Sequence, residues 1–217
     1  MRYDILTIFP NLFTSFLQET LIAKAQKKKK IRINIHDIRK FSNDKHKTVD
    51  DRPYGGGPGM ILKAEPIVKT LKSIPKKKKS KIILLSPQGP FFTQKVAQHY
   101  SKLDQLILIA GRYEGFDERV NSYIDEELSI GEYVLSGGEV PAMVVMEAVS
   151  RLIPGVVGDK GSIEDETFSF SPDYVEYPQY TRPPSFSGKK VPPVLLSGDH
   201  KKISQWRKTK SRRRRPS

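Results

Sequence analysis

The sequence predicts an α/β fold, a mostly parallel sheet with helices on both faces, and three observations carry that expectation. Extended and helical patterns alternate along the chain instead of segregating into blocks. The strand candidates after residue 80, Lys81–Leu85 and Gln105–Ala110, are continuous apolar runs, as strands buried on both faces are. Three extended segments also run into glycine-bearing turns: Ser86-Pro87-Gln88-Gly89, Gly111-Arg112-Tyr113-Glu114-Gly115, and the stretch Ser129 to Pro141. Ligands of open parallel sheets bind outside the carboxyl ends of the strands. Three such turns therefore predict one pocket made of backbone and small side chains.

The elements follow in order. Tyr3 to Phe9 is a short apolar strand ended by Pro10, and Asn11 to Gln26 carries Leu12, Phe13, Phe16, Leu17, Leu21, Ile22 and Ala25 at helical spacing. Ile31 to Ile38 alternates at period two, which predicts a strand with one apolar face. Phe41 to Met60 is polar, then glycine-rich, and its length without secondary structure marks it as functional. Helices are expected over Ala64–Ile74, Thr93–Lys102 and Phe116–Ile124, and an extended segment over Leu128–Leu135. Val140 to Ile153 is apolar on nearly every face, so a helix there must be buried all round, inside the fold or between subunits. Pro141 fits only a first turn, and Ser136 three residues before Glu139 resembles a capping box, so that helix should begin around residues 137 to 140. Gly155 to Gly188 reads as a linker, and Ser204 to Arg207 as part of a short helix whose Trp206 is expected to anchor a small core.

Composition narrows the function. The chain has 217 residues and no cysteine, which removes disulfides, thiolate metal sites and thiol nucleophiles. Its amino terminus lacks a signal-peptide pattern and no apolar run approaches a membrane span, so a soluble cytoplasmic protein is expected. A formal charge of +14 points to a polyanionic partner. The charge is peripheral: residues 201 to 215 hold nine Lys or Arg, whereas residues 111 to 148 hold nine acids. Arg212 to Arg215 are the better phosphate candidates, and Lys27–Lys30 and Lys76–Lys79 read as solvated decoration. Dinucleotide, P-loop, zinc-protease and nucleophile-elbow motifs are absent, and His36, His46, His99 and His200 lack metal-ligand spacing.

The segments Thr48 to Met60, Leu85 to Gly89, Gly111 to Gly115, Ser129 to Pro141, Pro178 to Pro183 and Val191 to Gly198 resemble, in order, the signature blocks of the bacterial tRNA (guanine-N1)-methyltransferases, the TrmD family. The resemblance implies a SPOUT-class fold over residues 1–156 whose chain near 85–140 threads a deep trefoil knot. It implies a linker and active-site loop over 157–188, and a basic tRNA-binding region over 189–217 that is shorter than the family's usual helical domain. It also implies an obligate homodimer and S-adenosylmethionine, with Mg²⁺ as an aid for which the sequence offers no dedicated ligand cluster. The target it implies is N1 of guanine 37 of tRNA, next to the anticodon and preceded by a guanine.

That chemistry needs a carboxylate to take the N1 proton and a cation or donor at O6. By the resemblance Arg151 is the cation. The family's base lies two residues before a Phe, which a gapless match through Phe168 puts at Glu166, while residue type favours Asp165. The implied cofactor positions are Ser86, Pro87, Gly111, Ile130, Gly131, Glu132, Tyr133, Val134, Leu135, Gly137, Gly138 and Pro141. Arg112, Glu114, Asp50 and Arg52 are expected on the substrate side, with a surface ion pair to Glu114 or Asp117 as the plain alternative for Arg112. Two competing functions remain at this point: methylation of another RNA position, and RNA binding without catalysis.

Overall fold

The computed structural model describes residues 1–158 and 165–213. The chain forms two compact units, Met1–Gly158 and Asp159–Ser217. Ser162, Ile163 and Glu164 of the acidic loop, and Arg214 and Arg215 of the basic tail, lie outside the described residues.

The first unit is built on five parallel strands: β1 (Arg2–Thr7), β2 (Arg32–Asp37), β5 (Ser80–Leu85), β6 (Gln105–Ala110) and β7 (Glu126–Leu128), in the order β2-β1-β6-β5-β7. Because side chains alternate across a strand, each strand feeds two cores. Tyr3, Ile5, Ile83, Leu85, Leu106 and Leu108 pack with α2 (Thr20–Lys27), α4 (Gln94–Tyr100) and α5 (Glu139–Ser150). Leu6, Ile82, Leu84, Ile107 and Ile109 pack with α3 (Ala64–Ser73) and Val120 on the other face. This two-sided burial is the reason β5 and β6 read as unbroken apolar runs.

Several local expectations are corrected. The Asn11–Gln26 helix is three pieces: a 3₁₀ turn at Pro10–Phe13, α1 (Thr14–Gln18) and α2, broken where Thr20 takes φ 53°. The long loop after Phe41 contains a hairpin of β3 (Asp50–Asp51) and β4 (Ile61–Leu62). Residues Glu118–Tyr123 form a 3₁₀ helix inside the expected Phe116–Ile124 helix, because the Asp117 carboxylate accepts from the Arg119 amide and closes a tight first turn. The extended segment expected to Leu135 ends at a bridge of Ser129 to Phe91, and turns follow.

Helix α5 begins within the expected window, but Ser136 makes no cap: Gly138 is the N-cap and no side chain closes it. Nor is α5 covered all round within the chain, since Val140 and Val144 are 57% and 41% exposed along one stripe.

In the second unit the expected linker carries β8 (Tyr174–Val175), which pairs antiparallel with β11 (Arg212–Arg213), and a small hairpin of β9 (Ser185–Phe186) and β10 (Lys189–Lys190). The short helix α6 (Pro193–Leu196) precedes α7 (His200–Lys210), whose first amides are capped by the Asp199 carboxylate. Trp206 lies in α7 between Tyr177 and Tyr180, and the Arg207 guanidinium sits over the Tyr177 ring.

Candidate active site

Parallel strands deliver all their carboxyl ends to one edge, and there the turns after β5, β6 and β7 enclose a cavity of about 310 Å³. The turns are tied to one another through backbone. The Ser86 amide donates to the Leu128 carbonyl at 3.0 Å, the Phe92 amide to Ser129 at 2.7 Å, and the Gly138 amide to Gly111 at 2.8 Å. Two glycines make this approach possible. A Cβ on Gly89 would stand 2.5 Å from the Leu128 nitrogen, and one on Gly138 would stand 2.8 Å from Cα of Ala110. Tyr113 holds φ 61° in the middle of its turn, a conformation that costs a bulky residue energy and that concentrates at binding sites.

The cavity wall contains Ser86, Pro87, Gly111, Ile130, Gly131, Tyr133, Val134, Leu135, Gly137, Gly138 and Pro141, together with Arg112 and Glu114. Glu132 is outside the wall and exposed. Asp50 and Arg52 are outside it too, although their hairpin is fastened to the site: the Leu62 amide donates to the Gly115 carbonyl at 2.9 Å, and the Glu114 amide to the Met60 carbonyl at 3.0 Å.

The structure adds a group that the sequence reading had assigned elsewhere. Glu139, 1% exposed, accepts from the Thr7 hydroxyl at 2.8 Å and from Arg112 Nε at 2.8 Å. Arg112 also donates to the Ser136 carbonyl at 3.3 Å and lies over the Phe9 ring. Its ion pair is therefore with Glu139, not with Glu114 or Asp117; Asp117 takes Arg119 instead. Three segments distant in sequence, the end of β1, the 111–115 turn and the start of α5, meet at this one carboxylate. A lone acid opening an apolar helix was the available signal, and capping explained it too easily.

The remaining predicted residues lie elsewhere. Arg151 is the C-cap of α5, at the opposite end of the helix from the cavity rim. The 12 residues of α5 at 1.5 Å rise each separate the two ends by about 18 Å. Asp165 and Glu166 belong to the second unit. There the Tyr174 hydroxyl donates to Asp165 Oδ1 at 2.5 Å and lies 3.2 Å from Ser211 Oγ. That bond to Asp165 raises the Tyr174 phenol above its ordinary value, because the neutral phenol is the donor.

Known proteins fix the lineage. The family model described as tRNA (Guanine-1)-methyltransferase TrmD matches residues 1–216. The chain belongs to the TrmD family. Among its relatives, proteins named tRNA (guanine-N(1)-)-methyltransferase, that of Dictyoglomus turgidum is 53% identical over 96% of this chain and 84% of its own length. The one from Carboxydothermus hydrogenoformans is 54% identical over 97% and 83%, and the one from Endomicrobium trichonymphae 48% over 99% and 95%. As a TrmD-family chain it is an α/β protein with a mostly parallel sheet, and the cavity edge carries three glycine-bearing turns. Among the described residues no cluster of His, Asp or Glu is arranged to hold a metal ion, and no helix is long and apolar enough to cross a membrane.

Proposed function

We propose that this chain transfers a methyl group from S-adenosylmethionine to N1 of guanine 37 of tRNA, beside the anticodon, where a guanine precedes it. The observation that carries the reading is the convergence of three glycine turns on one cavity, in a chain whose relatives are named for guanine-N1 methylation of tRNA.

The residues present fit the methyl donor. The cavity falls at the lower end of the size range of small-molecule sites, about 300 to 1,000 Å³. Its wall combines backbone groups with the partly exposed apolar faces of Tyr133, Val134 and Leu135, against which a purine ring can lie. Ser86, Pro87, Gly111, Ile130, Gly131, Tyr133, Val134, Leu135, Gly137, Gly138 and Pro141 hold the donor in this reading, and Arg112, Glu114, Asp50 and Arg52 face the RNA. When bound, the donor supplies a methyl group on a sulfonium centre that departs as a neutral thioether.

The chain's own residues handle the proton and the charge. Guanine N1 is protonated at neutral pH, so its lone pair is available only as the proton leaves. Asp165 accepts that proton, with Tyr174 fixing the carboxylate's orientation and Glu166 as the alternative acceptor. Arg151 stabilises negative charge developing toward O6. Because α5 separates Arg151 from the rim of its own cavity, the site is completed in a homodimer by Arg151 of the partner subunit. The exposed Val140 and Val144 on α5 supply an apolar seam for that contact.

The reading includes the deep trefoil knot over residues 85–140, a SPOUT domain over 1–156, an active-site loop over 157–188, and tRNA contact by the basic region 189–217 in the cytoplasm. No step uses Mg²⁺.

Single-turnover methylation of a G37 transcript tests the assignment. Asp165→Asn and Arg151→Ala are each expected to slow the step by roughly 10² to 10⁴, with Glu166→Gln the control for the alternative base. A transcript with G37 replaced by A should accept no methyl group. Normal rates in all three variants overturn the residue roles, and methylation of the A37 transcript overturns the target.

A further inference from the structure

The two tetralysine runs, which read as solvated decoration in the sequence, are brought together by the topology. Lys27–Lys30 lead into β2 and Lys76–Lys79 lead into β5, so in a parallel sheet both lie on the amino edge, opposite the cavity. Between them in the order β2-β1-β6-β5 come the amino terminus at β1 and Lys102 before β6. Three strand spacings of about 4.8 Å put the two runs about 14 Å apart across the sheet.

Their backbones are pinned while their side chains are not. The Met1 amino group donates to the Lys30 carbonyl at 3.1 Å, and the Lys79 carbonyl accepts from Asp104 and Gln105. The Lys77 amide donates to Gln105 Oε1 at 2.7 Å. All eight lysines are exposed, and none forms an ion pair with another described residue. The acids near this edge are engaged elsewhere or beside a run: Asp4 pairs with Arg2, Glu126 with Lys81, the Asp125 carboxylate accepts from the Ile82 amide, and Asp104 lies against Lys79 through its backbone.

We infer that this amino edge is a second polyanion surface, which holds the phosphodiester backbone of RNA. Lysines are point charges without base-reading geometry, and the exposed aromatic before β7, Tyr123, already lies under Lys72, so the bonds of the two runs are to phosphates and independent of sequence. The runs also carry no exposed large apolar residue. The edge therefore lacks both the buried anchor of a protein interface and the apolar face of a membrane-surface helix. The inference stands apart from methyl transfer, because its binding needs no donor.

The test is fluorescence anisotropy of the full chain with a G37 transcript and with the A37 transcript, across a salt series. Replacing Lys27–Lys30 and Lys76–Lys79 by Gln should weaken both complexes at least about tenfold. It should also flatten the dependence of log K on log salt by roughly 0.7 to 0.9 for each phosphate that is no longer neutralised. Arginine in place of the same eight lysines should keep the affinity and the slope. Calorimetry with the methyl donor should be unchanged in the Gln variant, which reads the cavity separately and reports a folded protein. Unaltered RNA affinity and slope in the Gln variant overturn the inference. So does a Gln variant that loses binding only to phosphatidylglycerol vesicles, which would make the edge a membrane surface.

Discussion

Two buried carboxylates, one toward each edge of the same sheet, do different things. Asp4, fully buried in β1, accepts from Arg2, Asn34, His36 and Gln105, all on β1, β2 and β6 at or near hydrogen-bonding register. Glu139 is as deeply buried but joins Thr7, Arg112 and the first turn of α5, which no strand pairing brings together. Burial raises the Asp4 carboxyl, yet the hydrogen bonds from His36, Arg2, Asn34 and Gln105 together outweigh it and leave the group below the usual carboxylate range. The contrast teaches that a satisfied buried acid between neighbouring strands braces a sheet, while the same acid between distant turns shapes a cavity.

The largest effect expected from breaking this comparison is at Asp4. Asp4→Ala leaves four donors without their acceptor and should cost about 3 kcal/mol of stability, read by denaturant melts, with donor affinity nearly unchanged. The pH dependence sharpens it. The folded carboxyl lies below the unfolded value near 3.9, so its contribution is complete above about pH 5 and is withdrawn as pH falls toward the folded value. The wild-type chain should therefore lose more stability between pH 5 and pH 2 than Asp4→Asn does.

Glu139→Gln comes next. It keeps the shape but removes the charge facing Arg112, with an expected loss of about 2 kcal/mol and, unlike Asp4→Ala, a clear fall in donor affinity by calorimetry. An unchanged affinity would reduce Glu139 to a second brace. Gly138→Ala pushes a methyl group against the backbone of Ala110 and should cost about 1 to 3 kcal/mol while opening the rim. Smallest of all, replacing the eight amino-edge lysines by Gln should move the melting midpoint by no more than about 0.5 kcal/mol would, since exposed side chains without partners contribute little.

Much of this was legible beforehand. The apolar runs at Lys81–Leu85 and Gln105–Ala110 and the helical patterns at Ala64–Ile74 and Thr93–Lys102 are local signals, and β5, β6, α3 and α4 sit within or next to them. The three glycine turns pointed to one rim because strand direction follows from alternation of strands and helices. Other features were not legible. Thr20 breaks a helix whose apolar spacing runs straight through it, because packing of two short helices on the sheet outweighs propensity. Glu139 looked like a capping residue because its partners lie 27 and 132 residues away. The stripe of Val140 and Val144 looked buried because composition does not say which face meets the sheet.

The sequence by itself determined where most of the strands and helices lie, that the sheet is parallel, and that the turns after its strands meet at one cavity. Periodicity and turn residues act over a few neighbours, and they suffice for that. Only the tertiary structure decided that Arg112 belongs to Glu139, that Arg151 lies a helix length from the cavity rim, and that two distant lysine runs share one edge. Those are pairings between residues far apart in the chain, set by strand order and by the need of each buried charge for a partner.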